Sequence, residues 1–194
     1  MRKELDDLLC EKYPEIFKDR HGDKMVTCMC WGFNIGDGWF NIIDTLCHQI
    51  QAHIDHYKRV AKIDLEFNAK LKDYVNGNKE PLTDYYHSIF RDKDHANKCL
   101  QGSVERGYRD IKEVYQVVAV QVKEKFGGLR FYYNGGDEYI DGLVAMAEAM
   151  SYVTCERCGK VGKPNDSGWI VTLCDDCRGY KLEDHKEDVE DETD

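Results

Sequence analysis

The chain has 194 residues, of which 42% are hydrophobic, 11% aromatic and 33% charged, and its formal net charge is -10. That composition suits a folded core and excludes a wholly disordered chain; no apolar run approaches the roughly 20 residues that span a bilayer. The charge is unevenly placed: residues 183–194 (EDHKEDVEDETD) hold eight Asp or Glu and one Lys, a net of -7, which leaves -3 for the rest and no positive stripe of the kind a dedicated duplex binder carries.

In chain order, residues 2–20 read as a short helix, with Leu5, Leu8 and Leu9 on one side and its end near Tyr13-Pro14. Met25–Trp31 reads as a strand, with Met25, Thr27, Met29 and Trp31 on one face. A glycine-broken loop, 32–38, then leads into the clearest helix, whose stripe Ile43, Leu46, Cys47, Ile50, Ile54 and Tyr57 follows helical spacing, with Asp37 placed as its N-cap. The segment 58–112 is lysine-rich and weakly periodic, and one or two helices are expected there, with a turn at Asn76-Gly-Asn and a break at Pro81. Val114–Phe126 reads as a strand whose Val118, Val120 and Val122 form one buried face. Gly127-Gly128 offers the positive φ angles of a two-residue hairpin turn, and Leu129–Tyr133 returns. Asp137 is placed to cap a last helix with the stripe Ile140, Leu143, Val144, Ala147 and Met150.

The strongest motif follows that helix: Cys155-Glu-Arg-Cys158, fifteen residues, then Cys174-Asp-Asp-Cys177. Two C-x2-C knuckles at this separation are the pattern of a tetrahedral zinc ribbon, with a short hairpin between them bringing the knuckles face to face. A redox C-x-x-C normally occurs once, and disulfides need an oxidising compartment, whereas residues 1–7 show no apolar signal core. Four thiolates leave no open position for water, so the expectation is one structural Zn2+ held by Cys155, Cys158, Cys174 and Cys177, in a protein of the reducing cytoplasm. Together these elements predict an α+β fold: a small, mainly antiparallel sheet packed by helices in residues 1–152, with a variable insertion at about 58–112. A zinc ribbon at 153–182 and a disordered acidic tail at 183–194 complete the expected organisation.

Three stretches, CMCWGFNIGDGWFNIIDTLC, VKEKFGGLRFYYNGGDE and TCERCGK…GWIVTLCDDC, resemble a family of small, largely uncharacterised proteins encoded by bacteriophages, prophages and their hosts. The resemblance covers roughly residues 1–57 and 114–178. It implies an accessory protein acting in the bacterial cytoplasm and carries no reaction with it.

Two sites invite a ligand. The loop Trp31–Trp39 concentrates Trp31, Asp37, Trp39 and three glycines, so indole faces can stack on a planar ligand while backbone N–H groups meet phosphate. The competing and preferred reading is a tight turn whose tryptophans fill the core. Lys123, Lys125 and Arg130 surround the hairpin turn as a basic tip suited to phosphate or carboxylate, against a default of solvated hairpin charges. His48, His53 and His56, with Cys28, Cys30 and Cys47 nearby, lack the Glu of an H-E-x-x-H motif. No G-x-S-x-G elbow, phosphate-binding loop or dinucleotide fingerprint is present. The first functional expectation is a non-catalytic phage accessory protein that sequesters or inhibits a bacterial host factor, a protein or a small nucleotide. A nucleic-acid-binding zinc ribbon using Arg157, Lys160, Lys163, Arg178 and Lys181 ranks second. An enzyme built on Asp37, Glu124 and the helix histidines ranks third.

Overall fold

A computed structural model of the chain describes residues 1–25, 27–166 and 168–179; the acidic run 183–194 and Lys181 lie outside the described residues. The helices are α1 (Lys3–Lys12), α2 (Phe40–Val75), α3 (Glu80–Ile89), α4 (Lys93–Arg106), α5 (Glu138–Ser151) and α6 (Asp175–Gly179). The strands are β1 (Tyr115–Lys125), β2 (Gly128–Gly136), β3 (Lys163–Pro164) and β4 (Thr172–Leu173). β1 and β2 form one antiparallel sheet, and β3 and β4 a second, smaller one. The fold is α+β.

The described residues form two compact units: Met1–Ile50 together with those from Gln116 onward, and Gln51–Tyr115. In the first, a two-stranded hairpin would leave both edges unpaired, and both are satisfied locally. On β1, the Ala119 N–H donates to Ile16 O (2.8 Å). Asn34 exchanges bonds with Val122 O and the Glu124 N–H at 3.0 and 2.9 Å. On β2, the Leu129 and Phe131 N–H groups donate to Ser151 Oγ (2.8 Å) and Glu148 Oε1 (3.0 Å) of α5. Asp137 caps α5 as expected, its carboxylate accepting the Ile140 N–H. Of the expected α5 stripe, Ile140, Val144 and Ala147 are buried, whereas Met150 is 47% exposed.

Several sequence expectations are corrected. Within the predicted strand 25–31, Cys28–Trp31 is a 3₁₀ turn capped by Thr27, whose hydroxyl accepts the Met29 N–H (3.1 Å). The alternating pattern there is coincidental: Met29 is fully buried, but Met25 and Trp31 are 91% and 70% exposed. The hairpin turn is Phe126-Gly127, with φ of 54° and 74°, rather than Gly127-Gly128. A bulky residue in the left-handed region costs roughly 1–3 kcal/mol. The buried positions on β1 are Val117, Ala119 and Val122, so the inward parity changes between Ala119 and Val122 and only Val122 of the expected face is fully buried.

The second unit is more helical than its periodicity suggests. α2 continues to Val75 and stops at Asn76-Gly77. Pro81 opens α3 instead of breaking a helix, because the first turn leaves its missing N–H without consequence. Phe67, Leu71, Leu82, Tyr86, Ala96 and Leu100 form its core. Arg109 lies over the Phe67 ring (3.8 Å) and pairs with Asp64 (2.9 Å), while its backbone N–H donates to Asn68 Oδ1 (2.8 Å).

Candidate metal centre

Each knuckle is a short backbone turn that aims two sulfurs at one point. In the first, the Gly159 N–H donates to Cys155 O (2.9 Å) and the Cys155 N–H to Lys160 O (2.7 Å). The residue after the second cysteine must take positive φ, and glycine does so freely: Gly159 has φ 77°. In the second, the Arg178 N–H donates to Cys174 O (3.0 Å) and the Cys177 N–H to Cys174 Sγ (3.4 Å). β3 and β4 pair Lys163 with Leu173 and Pro164 with Thr172, which brings the knuckles together across the expected hairpin.

The four sulfurs of Cys155, Cys158, Cys174 and Cys177 all lie within 4.8 Å of one another. Tetrahedral coordination with metal–sulfur bonds of about 2.3 Å sets sulfur–sulfur edges of about 3.8 Å. The Cys158–Cys174 separation is 3.6 Å, so the set fits a metal ion. Burial opposes ionisation of Cys155, but backbone N–H groups of Cys174, Cys158 and Arg157 outweigh it and bring that thiol down to about 6. Cys177 is pushed up to about 12, first by its hydrogen bond to Cys158 and then by burial. A bound cation supplies the charge that lets all four become thiolates. Among the described residues this is the one cluster of three or more potential metal ligands.

The knuckle is also part of the fold. The Gly36-Asp37-Gly38 turn lies backbone to backbone against it: the Gly38 N–H donates to Glu156 O (2.7 Å) and the Gly36 N–H to Glu156 Oε1 (2.9 Å). Trp39 is fully buried and its indole N–H donates to Thr154 O (2.8 Å). On the other side, Thr172 Oγ1 donates to Gly127 O (2.6 Å), tying the ribbon to the hairpin tip.

The sequence-selected ligand residues therefore separate. Trp39 belongs to the core, as the competing reading held for both tryptophans, whereas Trp31 does not. Asp37 does not cap α2: its carboxylate accepts the Arg2 backbone N–H (2.7 Å) and the Arg2 guanidinium. Burial opposes ionisation of Asp37, but these bonds hold its carboxyl below the usual range. Arg130 donates to Tyr152 Oη (2.7 Å) and Leu129 O (2.6 Å) and stands 3.8 Å from Glu148. Trp31 is open to solvent with Lys24 Nζ 5.0 Å from its ring. Lys123 and Lys125 rest over Tyr132 and Phe126 at 5.4 and 5.5 Å.

The ribbon's cations meet carboxylates and carbonyls of the ribbon itself at its exposed surface. Lys160 pairs with Asp176 (2.9 Å), Lys163 approaches Asp175 (4.0 Å), and Arg157 and Arg178 donate to the carbonyls of Cys177 (3.3 Å) and Leu173 (3.2 Å). His53 and His56 make edge contacts with Tyr57. Sequence reasoning missed Glu156 and Thr154 as the receivers of the glycine turn and of Trp39. The G-D-G spacing was the available signal, since two glycines flanking one residue allow another backbone to approach closely. The Asp6–Arg20 pair (2.8 Å at both nitrogens) gave no sequence signal. No family model, curated protein or solved structure matches the chain.

Proposed function

We propose that the chain is a non-catalytic accessory protein of bacteriophage type that captures a bacterial host protein, its binding surfaces held in place by one structural Zn2+. The carrying observation is the four-cysteine cluster, whose sulfurs lie within 4.8 Å of one another and whose knuckle is bonded to the loop bearing Trp39. A donor set of four thiolates favours Zn2+ over hard cations, and with all four positions filled by protein the ion organises structure and activates no water. The resemblance of the cysteine, hairpin and W-G-F-x-x-G-D-G-W stretches to phage-encoded proteins supports the biological setting.

On this reading the contact surface centres on the Trp31 loop. Trp31 remains available, 70% exposed with Lys24 beside it, and exposed tryptophans with flanking cations are the residues that anchor protein interfaces. An open ring of this kind suits a protein surface better than a small nucleotide, which needs a site enclosing most of its area.

The test combines elemental analysis with affinity purification from a bacterial host. One zinc per chain is expected, and one host polypeptide retained by the parent and lost by Trp31→Ala. A metal-free chain that melts like the parent refutes the structural ion, and equal retention by a folded Trp31→Ala variant refutes the contact.

A further inference from the structure

The hairpin tip carries a surface that the capture reading does not use and that would stand if capture failed. Phe126 occupies the first position of the turn with φ 54°, where Asn, Asp or Gly are favoured. Nothing is gained by burying its ring, which is 70% exposed. The tip is nevertheless firmly held: Gly127 donates its N–H to Glu124 Oε1 (2.6 Å) and accepts from Thr172 Oγ1 (2.6 Å). A Cβ on Gly127 would come within 2.9 Å of Ile170 Cγ2, so ribbon and tip are in close contact. Trp169 adjoins Ile170, is 80% exposed, and stands in a loop fixed by Asn165, which accepts the Val171 N–H (2.7 Å) and donates to Trp169 O (2.9 Å). Two large exposed rings thus flank one hydrogen-bonded junction. Beside them, Lys123 and Lys125 rest over Tyr132 and Phe126, and neither ammonium forms an ion pair among the described residues.

We propose that this junction binds single-stranded nucleic acid, with bases stacked on Phe126 and Trp169 and phosphates held by Lys123 and Lys125. Ring faces accept any base, and the lysine ammoniums beside the hairpin rings suit the phosphates that flank a stacked base. A duplex keeps its base faces in its own stack and is not a match. The convex tip does not enclose a free mononucleotide. Opposing charge sets the strength: Asp166 is exposed in the ribbon loop, Glu124 lies between the lysines, and residues 183–194 add a net of -7. Binding is therefore weak and confined to low ionic strength.

The test is fluorescence anisotropy of labelled oligo-dT and oligo-U, each about 15 nucleotides to cover one site, titrated with the full chain at about 50 mM KCl. Saturable binding is expected, with log K falling against log salt at a slope of about -1.4, for two phosphates on a single strand. Phe126→Gly relieves the backbone strain, so its melting temperature should not fall while affinity drops about tenfold. Trp169→Ala should lose a similar factor, Phe126→Trp should retain binding, and Asp166→Asn should strengthen it. The proposal is overturned if neither oligonucleotide binds at about 100 µM protein, the weak limit of non-specific binding. It is equally overturned if folded Phe126→Gly and Trp169→Ala variants bind like the parent, or if a duplex binds as tightly as the single strand.

Discussion

Replacing Gly38 by alanine tests whether the metal knuckle and the 36–38 turn are one structural unit. A Cβ at Gly38 would lie 2.5 Å from Gly159 N and 2.7 Å from Glu156 O, and closer still to Cys155 O. All of these are backbone atoms, so no side-chain rotation relieves the clash, and the turn must withdraw. The φ of Gly38 lies outside the left-handed region, so the effect is one of space alone. Withdrawal strains three bonds at once: Gly38 N–H to Glu156 O, Gly36 N–H to Glu156 Oε1, and Trp39 Nε1–H to Thr154 O, at 2.7, 2.9 and 2.8 Å. At a net of about 1 kcal/mol each, the loss is about 3 kcal/mol, a large share of the roughly 5–15 kcal/mol that holds a domain folded. Urea unfolding measures the loss, and the rate at which the bound metal passes to a chromogenic chelator, expected to rise, reports whether it reaches the knuckle. Gly142→Ala is the control: it lies within α5 with nothing within 4 Å of its would-be Cβ, and should stabilise by about 1 kcal/mol. A Gly38→Ala variant with parental unfolding and chelation rates would refute the docking of turn on knuckle.

Trp39→Phe should cost about 1–3 kcal/mol by leaving Thr154 O without its donor, and Trp39→Ala about 3–5 kcal/mol, both read from denaturant midpoints. Arg20→Met leaves the Asp6 carboxylate buried without its bidentate partner and should cost about 3–5 kcal/mol; adding Asp6→Asn should recover part of this in a double-mutant cycle. Burial opposes ionisation of Asp44, but hydrogen bonds from Lys12 and Tyr13 prevail and depress its folded pKa. Its contribution is therefore present above the unfolded carboxylate value of about 3.9 and is lost as pH falls through the folded value. The stability gap between parent and Asp44→Asn should be widest near neutral pH and close in strong acid, and a gap that widens on acidification would contradict this. Chelating the metal should unfold the ribbon and open Trp39 to quenchers once the knuckle releases Thr154, while Trp169, already 80% exposed, is quenched before and after.

The metal ligands were legible because a C-x2-C turn is local: four residues determine where its two sulfurs point, whatever surrounds them. Helix α5 and its Asp137 cap were legible for the same reason, since capping and a 3.6-residue stripe act within a few turns. The hairpin and the helices on either side of it were legible too, and with them the α+β class, but the strand expected at 25–31 was not borne out. Tertiary structure decided what local chemistry leaves open. The sequence Met25–Trp31 alternates like a strand, yet among the described residues no strand pairs with Cys28–Trp31, which forms a 3₁₀ turn capped by Thr27 instead. The turn falls at Phe126-Gly127, one residue before the double glycine: Gly127 O accepts the Thr172 hydroxyl and Gly128 is held against the Tyr152 ring, long-range contacts that no turn propensity encodes. Whether a tryptophan is core or contact was likewise beyond the sequence: Trp31 and Trp39 sit in one motif, but only Trp39 finds an acceptor, Thr154 O, on a segment 115 residues away. Long-range partners of that kind, Glu156 for the glycine turn and Arg20 for Asp6, exist only once distant segments meet, and no periodicity or spacing encodes them.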